Sequence, residues 1–212
     1  MATDPGASPG NPIVDRVKNI LMQPQAEWPR IAAEPSTIAG IYRNYVAILA
    51  AIPPIAILIG LLLLGGAFVY LPMGLLIAQA ILGYALTLVG VYVIALIIDA
   101  LAPTFGGAKN PVSAFKVAAY SMTPFWVAGI LFLIPFLGIL ALFAALYGIY
   151  LLYLGLPVLM KVAADKVVAY TIVTVLASMV VLFVVNTVTT RLAYALLPGT
   201  PAATITINAP AR

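Results

Sequence analysis

The chain has no cysteine and no histidine, and only 8% of its 212 residues are charged. The missing thiols and imidazoles exclude disulfides, thiol nucleophiles, imidazole bases and the usual zinc sites. The scarcity of charge excludes a water-soluble domain, in which about 25% of residues carry a charge. Because 64% of the residues are hydrophobic, the composition predicts an integral membrane protein.

Catalytic and coupling motifs are also absent. The sequence contains no GxSxG, phosphate-binding loop, HExxH or DxD cluster. No charged residue interrupts the middle of a long apolar run, which argues against a proton- or ion-coupled pump. The net charge of +4 is spread over short segments and forms no basic face for nucleic acid. We therefore expect a protein that is not an enzyme, binds no nucleic acid and has neither cofactor nor metal.

Three charge-free blocks set the number of membrane spans: 44–98, 117–160 and 167–190. A span needs about 20 apolar residues, so the first two blocks each hold two spans and the third holds one. Gly65, Gly66 and Pro72 supply a turn in the first block, and "IPFLG" supplies one in the second. The expected fold is an all-α bundle of five transmembrane helices, over 44–64, 75–98, 117–134, 138–160 and 167–190.

The basic residues predict the orientation of this bundle. Eight of the ten precede the first span or lie between the second and third or the fourth and fifth spans, and only Arg191 and Arg212 lie on the other side. Lysine and arginine accumulate in cytosolic loops. The N-terminus is therefore expected in the cytosol and the C-terminus outside.

Some of the segments that flank the spans are expected to be flexible and others to be folded. Residues 1–10 and 191–212 are predicted to be flexible tails, and 11–43 a cytosolic or interfacial amphipathic segment. Asn11 can cap a short amphipathic helix that has Pro12 at its first position and ends before Pro24. This helix can lie on an anionic leaflet, or it can pack against the cytosolic ends of the spans. Trp28 is expected at headgroup depth.

Prolines, small residues and tyrosines mark positions inside the spans where a path or close packing can form. A break is expected at Pro53 and Pro54, either as a packing kink or as part of a path with the polar face of the fifth span. Small residues around Gly148 predict close helix approach. The candidate intramembrane residues are Pro53, Pro54, Tyr120, Pro124, Tyr147, Gly148, Tyr150, Gly155 and Pro157.

A second candidate site is the loop that follows Asp99. This aspartate ends the second predicted span, either as a simple boundary residue or as a partner of Lys109 or Lys116 that holds the loop. The candidate loop residues are Asp99, Pro103, Phe105, Gly106, Gly107, Lys109 and Lys116.

The order of these features resembles the Yip (Ypt-interacting protein) family of five-span membrane proteins, in its bacterial form. The likeness covers about 12–190 and is carried by "EWP", "PTFGGAKNPVSAFKVAAYSMTPFW" and "YGIYLLYLGLPVLMK". It implies a bacterial plasma membrane protein. Eukaryotic members are linked to small GTPases of vesicle traffic and to membrane curvature, but they carry an Asp-Leu-Tyr-Gly-Pro type motif that this chain lacks.

Two functions remain open from the sequence. The favoured hypothesis is a non-enzymatic protein that organises the lipid bilayer or partner membrane proteins, including as a homo-oligomer through the small-residue face of the fourth span. The competing hypothesis is a small transporter or channel, whose path is lined by the kinked first span and the polar face of the fifth.

Overall fold

A computed structural model describes residues 11–64, 72–134 and 136–197, and over these residues the fold is all-helical. Five helical segments are long and apolar enough to cross a membrane, which confirms the expected fold class. In chain order these spans are Ile38–Leu63, Met73–Phe105, Pro111–Leu133, Leu137–Met160 and Val167–Leu196.

Two short helices precede the spans, and breaks divide spans 1 and 3 into shorter helices. The α-helices are α1 (Pro12–Met22), α2 (Pro24–Ala33), α3 (Ile38–Ile41), α4 (Ala47–Leu49), α5 (Ile52–Leu64), α6 (Met73–Leu101), α7 (Pro111–Ser121), α8 (Thr123–Ala128), α9 (Ala141–Met160) and α10 (Val167–Leu196). A π-helical turn, Tyr42–Val46, joins α3 to α4, and 3₁₀ turns follow α6 (Ala102–Phe105), follow α8 (Gly129–Leu133) and precede α9 (Leu137–Leu140).

Proline explains the break in span 1. Pro53 and Pro54 have no backbone N–H, so the carbonyls one turn earlier lose their helical partners, and α4 ends at Leu49 before α5 begins at Ile52. The expected break is therefore present. Tyr84 of span 2 donates a hydrogen bond to the carbonyl of Ala47, over 2.9 Å, close to this break.

The spans extend further than the charge pattern predicts. Span 3 begins at Pro111, six residues early, because the Asn110 side chain accepts from Ser113 N and caps the helix ahead of Lys116. Span 5 continues as helix to Leu196, so 191–196 are not a loose tail. Arg191 does not end the helix, since a long side chain can carry its charge to the interface. The expected turn at Gly65 and Gly66 and the tails 1–10 and 198–212 lie outside the described residues.

Spans 2 and 3 occupy the middle of the bundle. Span 2 packs against spans 1, 3 and 5, and span 3 packs against spans 1, 2 and 4. Span 4 packs against spans 3 and 5. We call the end of the bundle that carries α1, α2 and the connections 106–110 and 161–166 the near end, and the opposite end the far end. The buried core is concentrated in the near half, where it includes Phe115, Leu156 and Tyr170.

Tyrosine hydroxyls join these elements to one another. Tyr42 donates to the carbonyl of Leu88 over 2.6 Å, and Tyr170 donates to the carbonyl of Ile98. With Tyr84 on Ala47 and Tyr147 on Leu21, four such bonds each tie a side chain to the main chain of another element. A bond of this kind satisfies a polar group that lipid cannot.

Candidate functional site

The first feature is a helical hairpin formed by α1 and α2, which we call the N-terminal hairpin. Asn11 caps α1 by accepting from Ile13 N over 3.1 Å, and Pro12 lies at the first helical position, as predicted. Gln23 ends α1 by donating its N–H to the carbonyl of Asn19, and Pro24 begins α2 at once. The chain therefore reverses direction within about two residues.

The N-terminal hairpin packs along the sides of spans 3 and 4. The Trp28 ring is fully buried against Gly155, where an added Cβ would lie 2.8 Å from Trp28 Cζ2. Tyr147, which is 13 residues before Met160, donates to the carbonyl of Leu21 over 2.8 Å. At 1.5 Å per residue this bond lies about 20 Å along the helix from Met160. The hairpin therefore packs against the spans, which is one of the two expected arrangements, and it encloses the Trp28 ring in protein. The headgroup depth of Trp28 stays a prediction.

Ion pairs hold the two helices of the hairpin together. The Arg16 guanidinium donates to the carboxylates of Glu27 and Glu34, and Arg30 lies 3.5 Å from Glu27. Glu27 is only 2% exposed, so its charge depends on these partners. Burial opposes the charge of Arg16, but the hydrogen bond to Glu34 and the charges of Glu34 and Glu27 outweigh it and raise the pKa of Arg16.

Lys116 fastens the hairpin to span 3. Its ammonium donates to the carbonyls of Ile31 and Glu34, over 2.7 and 2.6 Å. These carbonyls end α2, where a cation also complements the helix dipole. Lys116 is 5% exposed, so the prediction that it belongs to the loop after Asp99 is wrong. The reason is that two main-chain carbonyls of the hairpin accept hydrogen bonds from its ammonium in place of water.

Tyr120 joins the hairpin to spans 1 and 3. The Arg16 guanidinium lies 5.8 Å from the centre of its ring, an arrangement typical of a cation–π contact. The Tyr45 ring packs edge-on against it at 4.8 Å, and the hydroxyls of Tyr45 and Thr123 share a buried hydrogen bond of 2.8 Å. Pro124 is buried in the first turn of α8, after the break in span 3.

The loop after span 2 is held by its backbone. Asp99 accepts a 2.7 Å hydrogen bond from Asn110 N, and among the described residues it has no ion pair with Lys109 or Lys116. Of the two alternatives for Asp99, partnership with a lysine is therefore wrong, since Lys116 donates to the hairpin. Gly106 adopts a left-handed conformation with φ +74°, which favours glycine because it has no Cβ.

The same loop is locked onto spans 4 and 5. Ala108 N donates to the carbonyl of Met160 over 2.9 Å, and a Cβ on Gly107 would lie 2.6 Å from that oxygen. Phe105 stacks on Tyr170 with ring centres 4.8 Å apart. Of the other candidates here, Pro103 and Lys109 are exposed. The loop therefore divides into residues that fasten it and residues that face outward.

The candidates on span 4 are not equivalent to one another. A Cβ on Gly148 would lie 2.8 Å from the carbonyl oxygen of Ser121, so at this position the small-residue face is covered by span 3 of the same chain. Tyr150 is 41% exposed, and its ring lies 5.7 Å from that of Tyr147. Helix α9 runs through Pro157 to Met160 without interruption. An oligomer built on the Gly148 face would have to displace span 3.

A cavity of about 420 Å³ lies in the far half, between spans 1, 2, 3 and 5. Pro53 and Pro54 line it on one side and the polar residues Asn186, Thr189 and Thr190 on another. The structure thus brings together the kinked first span and the polar face of the fifth. The remaining polar lining comes from span 2, as Gln79, Tyr84 and Thr87.

Sequence reasoning missed the ion pairs of the hairpin. Arg16, Glu27 and Glu34 meet only because α1 and α2 fold back on each other. The side-chain spacing of a single helix would not place Arg16 next to Glu27. The available signal was the pair of proline-started helices at 12 and 24, which indicates a hairpin and not one amphipathic helix.

Taken together, five apolar spans with a packed N-terminal hairpin define a polytopic helical membrane protein. Among residues 11–64, 72–134 and 136–197, no group of three acidic side chains gathers as metal ligands. The Yip1 domain profile matches 18–186. The chain belongs to the Yip1-domain family, whose members are generally non-enzymatic membrane proteins.

Two relatives come from Escherichia coli. The chain is 28% identical over 184 residues to the inner membrane protein YohC of strain K12, which covers 83% of this chain and 94% of YohC. The same values hold for YohC of the O6:H1 strain. No solved structure matches the chain significantly. This Yip1-domain protein is thus similar over most of its length to a bacterial inner membrane protein.

Proposed function

We propose that this protein is a non-catalytic organiser of the bacterial inner membrane, which acts through an asymmetric cross-section. The observation that carries the proposal is the N-terminal hairpin packed beside spans 3 and 4. Its contacts with Gly155 and Tyr147 lie along the side of span 4, so the hairpin adds two helices beside the bundle from the near end to about the middle of that span. In the described residues no equivalent pair of helices packs beside the far half.

A protein that is wider at one end displaces more lipid from one leaflet than from the other. The hairpin is well suited to this role because protein contacts hold it against the spans. Lys116 and Tyr147 donate to its carbonyls, and its Arg16 lies over the Tyr120 ring. The outward face of α1 includes Val14 and Met22, which are 59% and 73% exposed and can contact acyl chains. We place this wide end in the cytosolic leaflet, in keeping with the basic residues at the near end.

Vesicle sorting tests this proposal. The full-length chain is reconstituted into a mixture of large and small liposomes, its orientation is determined, and the density of protein on each size class is measured by fluorescence. We expect molecules with the near end on the outer, convex surface to be enriched on the small vesicles. Equal density on both classes would contradict the proposal.

A matched pair of variants assigns the effect to the hairpin. Gly155→Leu forces a side chain into the Trp28 ring and should reduce the enrichment. Val158→Leu, on the same helix at a 37% exposed position, should leave it unchanged. Association with another copy or another membrane protein is compatible with this role, through surfaces other than the covered Gly148 face.

The second candidate function is that of a small transporter or channel, and the cavity between Pro53–Pro54 and Asn186 favours it. The near half beside the cavity is filled by Leu49, Val91 and Trp126, which are 6%, 1% and 1% exposed. Transport would therefore require the near half to open. Flux of small neutral solutes into proteoliposomes, compared with empty liposomes, tests this candidate, and equal rates would contradict it.

A further inference from the structure

The cavity in the far half has polar groups whose hydrogen bonds are not used by the protein. Gln79, Thr87, Asn186 and Thr190 line it, and none of the four makes a side-chain hydrogen bond to another described residue. The neighbouring Tyr84 and Thr189 differ, because their hydroxyls donate to the carbonyls of Ala47 and Val185. An amide without a partner is costly at membrane depth. A bound molecule that accepts hydrogen bonds would remove this cost.

These polar groups are arranged along the cavity. Gly83 of span 2 packs against Thr189 of span 5, and Gly90 packs against Val185, so the two helices run antiparallel at this level. Gln79 and Thr87 are eight residues apart, which corresponds to about 12 Å of helix. Asn186 and Thr190 lie one turn apart on the facing helix. A ligand that carries more than one acceptor group would match this arrangement.

The remaining wall of the cavity is apolar and favours an apolar part of the ligand. Leu58, Leu61 and Phe132 line the side formed by spans 1 and 3, and no aspartate, glutamate, lysine or arginine is among the lining residues. The volume of about 420 Å³ falls in the range of small-molecule sites. Asn186 is exposed, so the cavity is reachable from outside the bundle.

One positively charged side chain, that of Arg191, lies next in sequence to the cavity lining. Arg191 follows Thr190, is exposed, and is the one basic residue in the far half of the described chain. It has no ion pair with any acid in the part of the chain that the structure describes. An anionic group at the interface would complement it, while the uncharged part of the same molecule entered the cavity.

We infer that this cavity is a binding site for one anionic glycerophospholipid of the far-side leaflet. The ester carbonyls accept hydrogen bonds from the amides and hydroxyls of spans 2 and 5, one acyl chain lies against spans 1 and 3, and the phosphate stays at the surface beside Arg191. This inference is independent of the proposed role of the N-terminal hairpin, which contributes no residue to the lining of the cavity.

The test measures lipid binding to the full-length chain in detergent. The protein is delipidated and titrated with phosphatidylglycerol of mixed palmitoyl and oleoyl chains, and the complexes are counted by native mass spectrometry. We expect saturation at one tightly bound lipid. Ala80→Phe fills the cavity and should weaken this binding at least about tenfold. Ala85→Phe makes the same change on the exposed side of the same helix and should leave binding unchanged.

A second variant tests the chemistry without filling the space. Asn186→Leu removes the amide at similar volume and should weaken binding about threefold, as expected for one hydrogen bond within a membrane protein. Thr187→Val, at an exposed position that does not line the cavity, is its control. Arg191→Gln should reduce the preference for phosphatidylglycerol over zwitterionic phosphatidylethanolamine.

Several outcomes would overturn the inference. Equal binding by Ala80→Phe, with its thermal transition unchanged, would place the lipid elsewhere. If Ala80→Phe does not fold, unchanged binding by Asn186→Leu would have the same meaning. Tighter binding of an isoprenoid quinone, with displacement of phosphatidylglycerol, would assign the cavity to a different lipid class.

Discussion

Gly155→Ala offers a direct test of how the hairpin is held. In a helix, alanine is more favourable than glycine by about 1 kcal/mol. At 155, however, the added Cβ would lie 2.8 Å from Trp28 Cζ2 and 2.9 Å from Cη2. Overpacking of this kind costs about 1–3 kcal/mol. Since the Trp28 ring is fully buried and cannot move freely, we expect a net loss of stability of up to about 2 kcal/mol.

Gly83→Ala is the matched control for this change. The added Cβ would lie 3.6 Å from Thr189 Cγ2, which is an ordinary contact. The variant should therefore gain up to about 1 kcal/mol from helix propensity alone. Both variants are compared by reversible unfolding of the full chain in mixed micelles, and hydrogen exchange in 12–33 reports whether the hairpin has been released.

A double-mutant cycle measures the coupling between Trp28 and Gly155 directly. Trp28→Leu shortens the side chain that faces Gly155, so it should be destabilising alone but should make room for the new methyl group. The double variant, Trp28→Leu with Gly155→Ala, should then lose less free energy of unfolding than the sum of the two single losses, by about 0.5–3 kcal/mol. Additive losses, or a Gly155→Ala chain as stable as Gly83→Ala, would refute the packing described here.

Further predictions follow from the other contacts. Lys116→Met should destabilise the chain by about 2 kcal/mol and raise hydrogen exchange at 31–37, because two carbonyls lose a charged donor; Lys109→Met, at an exposed site, should do neither. Asp99→Asn keeps an acceptor for Asn110 N and should change loop exchange little, whereas Asp99→Leu should raise it at 104–110. Gly107→Ala should release the loop from Met160, while Gly106→Asn should be tolerated better, since asparagine accepts left-handed conformations. Single cysteines at Thr104 and Asp165 should resist a membrane-impermeant reagent added outside intact cells, and those at Ala67 and Thr204 should react; the reverse pattern would invert the topology.

The number of spans could be predicted from the sequence because each span is decided by local hydrophobicity. The ends of the spans were predicted less accurately, because the prediction ended each span at a charged residue. Lys116 and Arg191 both lie inside helices. The charge of Lys116 is satisfied by α2, which is more than 80 positions away in sequence, so no local pattern reveals it.

The candidate site was only partly predictable for the same reason. A proline pair removes backbone donors wherever it stands, so the break at Pro53–Pro54 follows from residue type alone. That the break shares a cavity with Asn186 depends on how spans 1, 2 and 5 pack. Likewise, Gly155 could be recognised as small, but its partner Trp28 is in a segment whose docking depends on the tertiary fold.

The tyrosine hydroxyls that cross between elements also bear on how far such a sequence can diverge. In all four bonds the acceptor is a main-chain carbonyl, at Leu21, Ala47, Leu88 or Ile98. A carbonyl is supplied by any amino acid, so these four positions can change side chain without losing the bond, and only the tyrosine must be kept. The position of one helix along another therefore depends on the residue type on only one side of each contact, which is the side of the tyrosine. Homologous chains can replace much of their apolar surface, as lipid contact permits, and still assemble in the same register.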